Sequence, residues 1–447
     1  MTTALAELRR RDPDLATAAE LAWQRVDGSD DAGLVSQWRV QAFCWLDLPG
    51  DRSVDSPARV VDGLAALLDL MSLRRYADIA RGEETRDVLA GAARSDAGLR
   101  HEVRGALTRS GIQPPDTELL SWAPQCGPSE ATAYVLVADA LEIAVQVGEY
   151  TPKRAGWLQR REEITNRVLA TGRPELDGRA PYEGIVAERV LAWARSGGSL
   201  TGQRLLARLE PQMAQAVPAA EPAAAERLLR RLQRFLAFVE GGVPLTDSGY
   251  LKPDAVARCV DEVGLADDLV ASPARERDVP PVYYLRTVAQ RLGLVRTQAK
   301  RLVLAPAGRD ALGKVTRLWR QVAGALVPVP GRRASSGAHA AVAVWDILLA
   351  ALLDDEPCTF DDIVDVCLQV LDESGWRLAN GQPVDHHTVG GLLSEAYRDV
   401  HWLGLLQRRD PYDDAVGLVP VPDADQLFLA ALRHRLLHSR TLFTGAG

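Results

Sequence analysis

The sequence predicts a mainly α-helical chain: an N-terminal all-helical domain, then two copies of one pattern of three helices and a hairpin. Three observations predict it. Apolar residues recur at three- and four-residue spacing through the first 200 residues, where strand-like alternation is almost absent. The helix end Leu292-Gly293-Leu294-Val295 is echoed as Leu403-Gly404-Leu405-Leu406. Each echo is followed by short β-like pieces ending in LVLAP and LVPVP.

At 447 residues the chain has room for two to four domains. Its 47% apolar and 25% charged content is that of a folded protein rather than a disordered one. Only four of the 52 basic residues are lysine, a bias that suggests a GC-rich bacterial genome. Five cysteines (Cys44, Cys126, Cys259, Cys358 and Cys367) are scattered without a CxxC pair, which reads as reduced thiols serving as small core hydrophobes. The start, MTTALAELRRRDPDL, lacks an apolar run fit for a signal peptide. The longest apolar stretch, 131–147, carries Asp139 and Glu142 and is too short to span a bilayer, so a buried helix is expected there. Together these features predict a cytoplasmic protein with no membrane association.

In chain order, ARVVDGLAALLDLMSLRRYADIA (58–80) predicts an amphipathic helix with Val61, Leu64, Leu68 and Met71 on one face. In SGIQPPDTELLSW (110–122), Pro114 and Pro115 end one element and Asp116 or Thr117 can cap the next. Helices over 151–172 and 182–198 close on Gly172 and the Gly197–Gly198 pair. These elements make up an all-helical domain, 1–210. The Ala/Pro-rich segment 211–225 is the expected linker. Beyond it, ERLLRRLQRFLAFVE places Leu228, Leu232, Phe235 and Phe238 (or Val239) on one helical face.

Next comes a short β-like piece with Leu245 and Thr246, a turn at Asp247 to Gly249, and a helix starting near Pro253. A third helix (281–295) leads into RTQAKR and the returning strand Val303–Leu304. Helix, short strand, helix, helix, hairpin is the order of a winged helix. Residues 226–333 are the first such module. The second, 334–447, has helices at 341–353, 360–373 and 386–406, then a hairpin over 407–422 turning at Asp410 to Asp414. At the LTDSGYL segment and the LGLV helix end, the chain resembles winged-helix proteins of GC-rich, high-arginine bacteria that carry a similar LTxxGxL and a ligand-free hairpin. The similarity covers about residues 225 to 435. SGIQPPDTELLSW resembles a segment of similar chains. The resemblance implies the winged-helix fold and carries no activity with it.

The net charge of −8 conceals a division. From Pro281 to Arg333 there are eleven basic residues and one acidic, a net of +10; from Ala334 to Leu432 there are seventeen acidic and four basic, a net of −13. In DNA-binding winged helices the third helix enters the major groove and wing cations hold phosphates. By that logic Arg286 and Arg291 face the groove, and Arg296, Lys300 and Arg301 hold phosphates. Arg309, Lys314, Arg317 and Arg320 extend the surface, making 281–320 a candidate contact for double-stranded DNA. The competing expectation is that this face packs against the acidic module or a partner protein. The second copy carries Glu395 and Asp399 on its third helix and Asp410, Asp413 and Asp414 on its wing. It repels phosphate, and is expected to bind protein or to self-associate. The sequence therefore predicts a non-enzymatic DNA-binding or regulatory protein, with a protein-interaction scaffold or complex subunit as the alternative.

Other motifs fail where chemistry is demanding. Gly308 to Lys314 has the GxxxxGK spacing of a phosphate loop, but Val315 replaces the Mg²⁺-holding hydroxyl. His386, His387 and His401 lack ligand spacing, so no metal is expected. The acidic run Asp354, Asp355, Glu356, Asp361, Asp362, Asp365 reads as carboxylates favoured at a helix start. Ten tryptophans read as core. No GxSxG, HExxH or spaced Cys/His set is present, so no catalytic residue or cofactor is expected.

Overall fold

The computed structural model describes residues 1–26, 35–51, 53–152, 154–195, 199–214, 221–266, 275–329, 335–354, 356–407 and 417–439. They form two compact units. The first comprises 1–119 and 127–185, the second 120–126 and 186–447.

The described residues of the first unit are mainly helical: α1 (Thr2–Arg11), α2 (Pro13–Val26), α3 (Gln37–Ala42), α4 (Leu48–Gly50), α5 (Pro57–Leu70), α6 (Arg74–Ala80), α7 (Glu83–Arg94), α8 (Asp96–Ser110), α9 (Pro128–Gln146) and α10 (Trp157–Ala170). One π-helical turn, Phe43–Asp47, joins α3 to α4. The core gathers Leu8, Trp23, Phe43, Trp45, Leu64, Leu67 and Leu68. α2 and α5 approach so closely that a Cβ on Gly63 would stand 2.7 Å from the Ala19 nitrogen, which is why a glycine occupies that position.

Three local expectations are corrected here. The predicted helix 58–80 breaks at Met71–Leu73, where Ser72 is left-handed (φ 63°), and resumes as α6. Asp116 and Thr117 cap no helix, because 111–127 is irregular and α9 starts at Pro128 after Gly127. The stretch 131–147 is helical but not wholly buried: Val135, Ile143 and Val147 lie on an open face at four- and eight-residue spacing. Among the described residues no helix is long and apolar enough to cross a membrane.

α11 (Pro181–Arg195) runs into the second unit, which continues with α12 (Leu200–Ala214), α13 (Pro222–Leu228) and α14 (Arg230–Val239). The second compact unit resumes at Val186, within α11. α12 belongs with the later helices because the Glu373 carboxylate accepts hydrogen bonds from Ser199 Oγ (2.6 Å), Thr201 Oγ1 (2.9 Å) and the Thr201 N–H (3.1 Å). The predicted linker is helical at its ends, within α12 and α13; its middle, 215–220, and the glycines expected to close helix 182–198 lie outside the described residues.

Next come β1 (Val243–Pro244), α15 (Pro253–Val263), α16 (Pro280–Arg291), β2 (Val295–Gln298) and β3 (Arg301–Leu304). They form one antiparallel sheet in the order β1-β3-β2. Ala299 and Lys300 both have positive φ (47° and 55°), as a two-residue hairpin of the right twist requires. α17 (Pro306–Ala311) and α18 (Val315–Ala325) lead to α19 (Ser336–Leu352), α20 (Phe360–Glu373), α21 (His386–Trp402) and α22 (Ala424–His438).

The echoed tetrapeptides adopt the same backbone. Leu294 N–H bonds the Ala289 carbonyl and Leu405 N–H the Val400 carbonyl, across the left-handed Gly293 and Gly404. Leu292, Leu294, Leu403 and Leu405 are all buried. After α21, residues 405–407 pair with 419–421, through Gln407 N–H to Val419 O (2.8 Å) and Val421 N–H to Leu405 O (3.0 Å). Leu418 N–H bonds Cys358 O, so the returning segment again lies between its partner and the residue preceding the second helix. The predicted turn Asp410 to Asp414 lies outside the described residues.

Candidate interaction surface

Arg286 and Arg291, expected to face a groove, are turned to other uses. Arg286 is buried. Its Nε stands 2.5 Å from Glu276 Oε1, and its Nη1 donates to Gly249 O at 3.1 Å. Glu276 Oε2 accepts the Leu251 N–H at 2.5 Å, so the pair pins the loop that enters α15 onto α16. Burial pushes the Glu276 carboxyl above its ordinary range, opposed by the Leu251 N–H and the guanidinium.

Arg291 reaches across to α21. Its Nη2 lies 2.5 Å from Asp399 Oδ2, Nη1 donates to Ala325 O and Leu326 O (2.8 and 3.1 Å), and its guanidinium lies over the Trp345 ring. Asp399, with 16% of its side chain exposed, is shifted upward by burial against the opposing Arg291 charge. Beside this pair the Tyr284 and Trp402 rings stack at 5.9 Å and 12°. Arg398 lies over the Tyr284 ring, 5.1 Å from its centroid, with Nη1 donating to Tyr284 Oη at 3.3 Å. The helices α16 and α21 thus close on each other through a stacked aromatic pair and an ion pair.

The cations of the β2–β3 hairpin stand differently. Arg296 is exposed and donates to Gln298 Oε1 (3.0 Å). Lys300 pairs with Asp247 at 2.7 Å, both side chains largely in solvent. Arg301 donates to the carbonyls of Gly241 (3.1 Å) and Gly242 (2.5 Å). Arg296 and Arg301 have no carboxylate partner among the described residues. Further along, Arg317 and Lys314 pair with Asp310, and Arg309 donates to Leu304 O.

Aromatic contacts continue from this junction in both directions: Tyr250–Tyr283–Tyr284 on one side, Trp402–His401–Tyr397–Phe360 on the other. His401 is a member of that stack, and among the described residues no group of His, Cys, Asp or Glu is arranged to hold a metal. The phosphate-loop spacing has another explanation. Gly308 lies inside α17, and a Cβ there would stand 2.0 Å from Leu294 O, so the glycine permits close helix-to-strand packing. Asp362 closes a capping box with Thr359 at the start of α20. Burial pushes the Cys44, Cys259 and Cys367 thiols up to about 12.

Sequence reading missed Glu276 and the pairing role of Asp399. Glu276 sits in Arg275-Glu276-Arg277-Asp278, which reads as a solvated charge run. One signal was present: Tyr284 and Arg291, two turns apart, share a face of α16, as Arg398 and Trp402 share one of α21. Compared with known proteins, the chain matches no family model, no curated protein and no solved structure.

Proposed function

We propose that this chain is a protein-interaction scaffold or complex subunit without catalytic activity, built on two winged-helix repeats whose third helices bind protein, here each other. The order helix, strand, helix, helix, hairpin with strand order β1-β3-β2 supports the winged-helix reading. The observation that carries the function is the Arg291–Asp399 pair beside the Tyr284–Trp402 stack. A third helix so covered has to part from α21 before it can enter a major groove.

A second reading, contact with duplex DNA through the wing alone, is favoured by one observation. Arg296 and Arg301 are exposed without carboxylate partners among the described residues, and the exposed Lys300–Asp247 pair holds weakly. A duplex titration across salt concentrations separates the readings. The scaffold proposal expects no saturable duplex affinity even at low salt, whereas contact through the wing alone expects a log–log slope no steeper than about −3, erased by changing Arg296, Lys300 and Arg301 to alanine. A slope of about −4 to −5 that also weakens on Arg291→Ala makes α16 a DNA-reading helix and overturns the proposal.

A further inference from the structure

The sheet of the second unit ends on β2, which among the described residues pairs with β3 alone. Every residue from Arg296 to Arg301 is exposed. The register fixes where the main chain of β2 points. Ala299 and Lys300 form the two-residue turn, so Gln298 and Arg301 are the hydrogen-bonded pair that closes it. Bonded and non-bonded pairs alternate along an antiparallel ladder, so the N–H and C=O groups of Thr297 and Leu302 point away from each other. The far side of β3 agrees: Leu302 lies opposite Val243 of β1, and Leu245 N–H bonds Lys300 O at 2.9 Å. Thr297 therefore turns its own N–H and C=O to the open edge. Its side chain lies on the α16 side, Oγ1 3.5 Å from Gln290 Nε2. Arg296 and Gln298 project from the opposite face.

An open edge invites pairing with any strand, and natural sheets limit this by keeping the edge short and charged. β2 has four residues, with Arg296 among them and Lys300 at its turn. Asp247, its side chain 93% exposed, is the one carboxylate that pairs with a hairpin cation among the described residues. Such an edge repels a basic strand and gives a neutral one little. A strand with carboxylates at alternate positions gains both main-chain bonds and opposite-charge pairs on one face. A peptide supplies the donor and the acceptor that Thr297 can use, whereas a phosphodiester backbone supplies acceptors alone.

We propose that β2 is the docking edge for an extended acidic segment of a partner protein. The segment adds as a fourth strand, exchanges main-chain hydrogen bonds with Thr297 and sets carboxylates against Arg296 and Lys300. This inference rests on the scaffold reading and gives it a partner chemistry. Peptide binding can fail while duplex affinity stays absent, so failure of the inference is distinguishable from failure of that reading.

The test is calorimetric titration of the full chain at low salt with acetyl-Thr-Glu-Val-Glu-Val-Glu-Thr-amide. Its counterparts carry lysine for each glutamate, or N-methyl groups on both valines. The acidic peptide is expected to bind with a dissociation constant of roughly 10 µM to 1 mM, at least about tenfold more tightly than either counterpart. Thr297→Pro removes the outward N–H and leaves the ladder to β3 intact, because an edge strand tolerates proline in that orientation. It should weaken the acidic peptide about tenfold, as should Arg296→Glu through like-charge repulsion. Both positions are exposed, and an unchanged urea midpoint checks that each variant is folded. Equal binding of either counterpart, unchanged affinity in folded Thr297→Pro, or no saturable heat at several times about 1 mM each overturns the assignment. A duplex of about 20 base pairs that saturates at lower concentration than the acidic peptide gives the hairpin cations to nucleic acid and overturns it too.

Discussion

Replacing Arg189 with methionine is expected to lower the unfolding free energy of the second unit by about 3–6 kcal/mol, read as a fall in the urea midpoint at unchanged slope. Arg189 is fully buried on α11. Its Nη1 donates to Leu437 O (2.6 Å), Leu436 O (2.9 Å) and Ser439 O (3.4 Å), and its Nη2 to Ser121 O (2.8 Å). The carbonyls at the end of a helix have no partner within it, and a cation there also meets the negative end of the helix dipole. A single guanidinium thus closes α22 and ties the 120–126 segment to it, helped by the Ser121 N–H bond to Leu437 O. Methionine fills similar space but removes the guanidinium donors, leaving Leu437 O with only the Ser121 N–H and the Leu436 and Ser121 carbonyls without the Arg189 bonds, at about 1–3 kcal/mol for each acceptor left unpaired. Lysine at 189 should recover only part of the loss, since one ammonium cannot span both sets of carbonyls. A methionine variant within about 1 kcal/mol of the parent would show that the acceptors find water instead.

Arg286→Met is the second large effect, expected at about 3–5 kcal/mol near neutral pH. The substitution strands the Glu276 carboxylate, which is 0% exposed, with only the Leu251 N–H to hold its charge. Its dependence on pH follows from the direction of the Glu276 shift. Burial already raises that pKa, and losing the guanidinium raises it further. The penalty is therefore largest where Glu276 is ionised in the parent. It shrinks as pH falls through the raised pKa, because a neutral carboxyl no longer needs the cation. Urea midpoints of parent and variant at several pH values should converge toward acid. A penalty independent of pH would mean that Arg286 acts through packing of its aliphatic stem rather than through its charge. Either way its guanidinium is committed to the loop entering α15, which explains why a cation on a third helix need not face nucleic acid.

The echo of one helix end in the other was legible because its signal is local. Apolar-Gly-apolar at a helix end demands a left-handed residue followed by a buried side chain, and Gly293 and Gly404 satisfy that demand with the same hydrogen bonds. The hairpin between Val295 and Leu304 was legible from the two short β-like pieces that follow the helix end. Long-range pairing was not. Whether Arg291 meets a phosphate or Asp399 depends on how two elements more than 100 residues apart pack, and summed segment charges of opposite sign fit either outcome. For the same reason the tie between α12 and α20 was not legible: the Glu373 carboxylate that holds the start of α12 lies far along the chain. The break at Ser72 escaped because apolar spacing continues across it while the backbone changes hand at one residue.

The closure of α16 on α21 is tested most directly by a double-mutant cycle in urea denaturation with Arg291→Ala, Asp399→Ala and both together. Partial exposure of Arg291 discounts the pair below a fully buried one, so the expected coupling is about 1–2 kcal/mol, with the double variant less destabilised than the sum of the singles. Additivity within about 0.3 kcal/mol would mean that the two side chains do not meet in solution, and that the third helix of the first repeat is free after all.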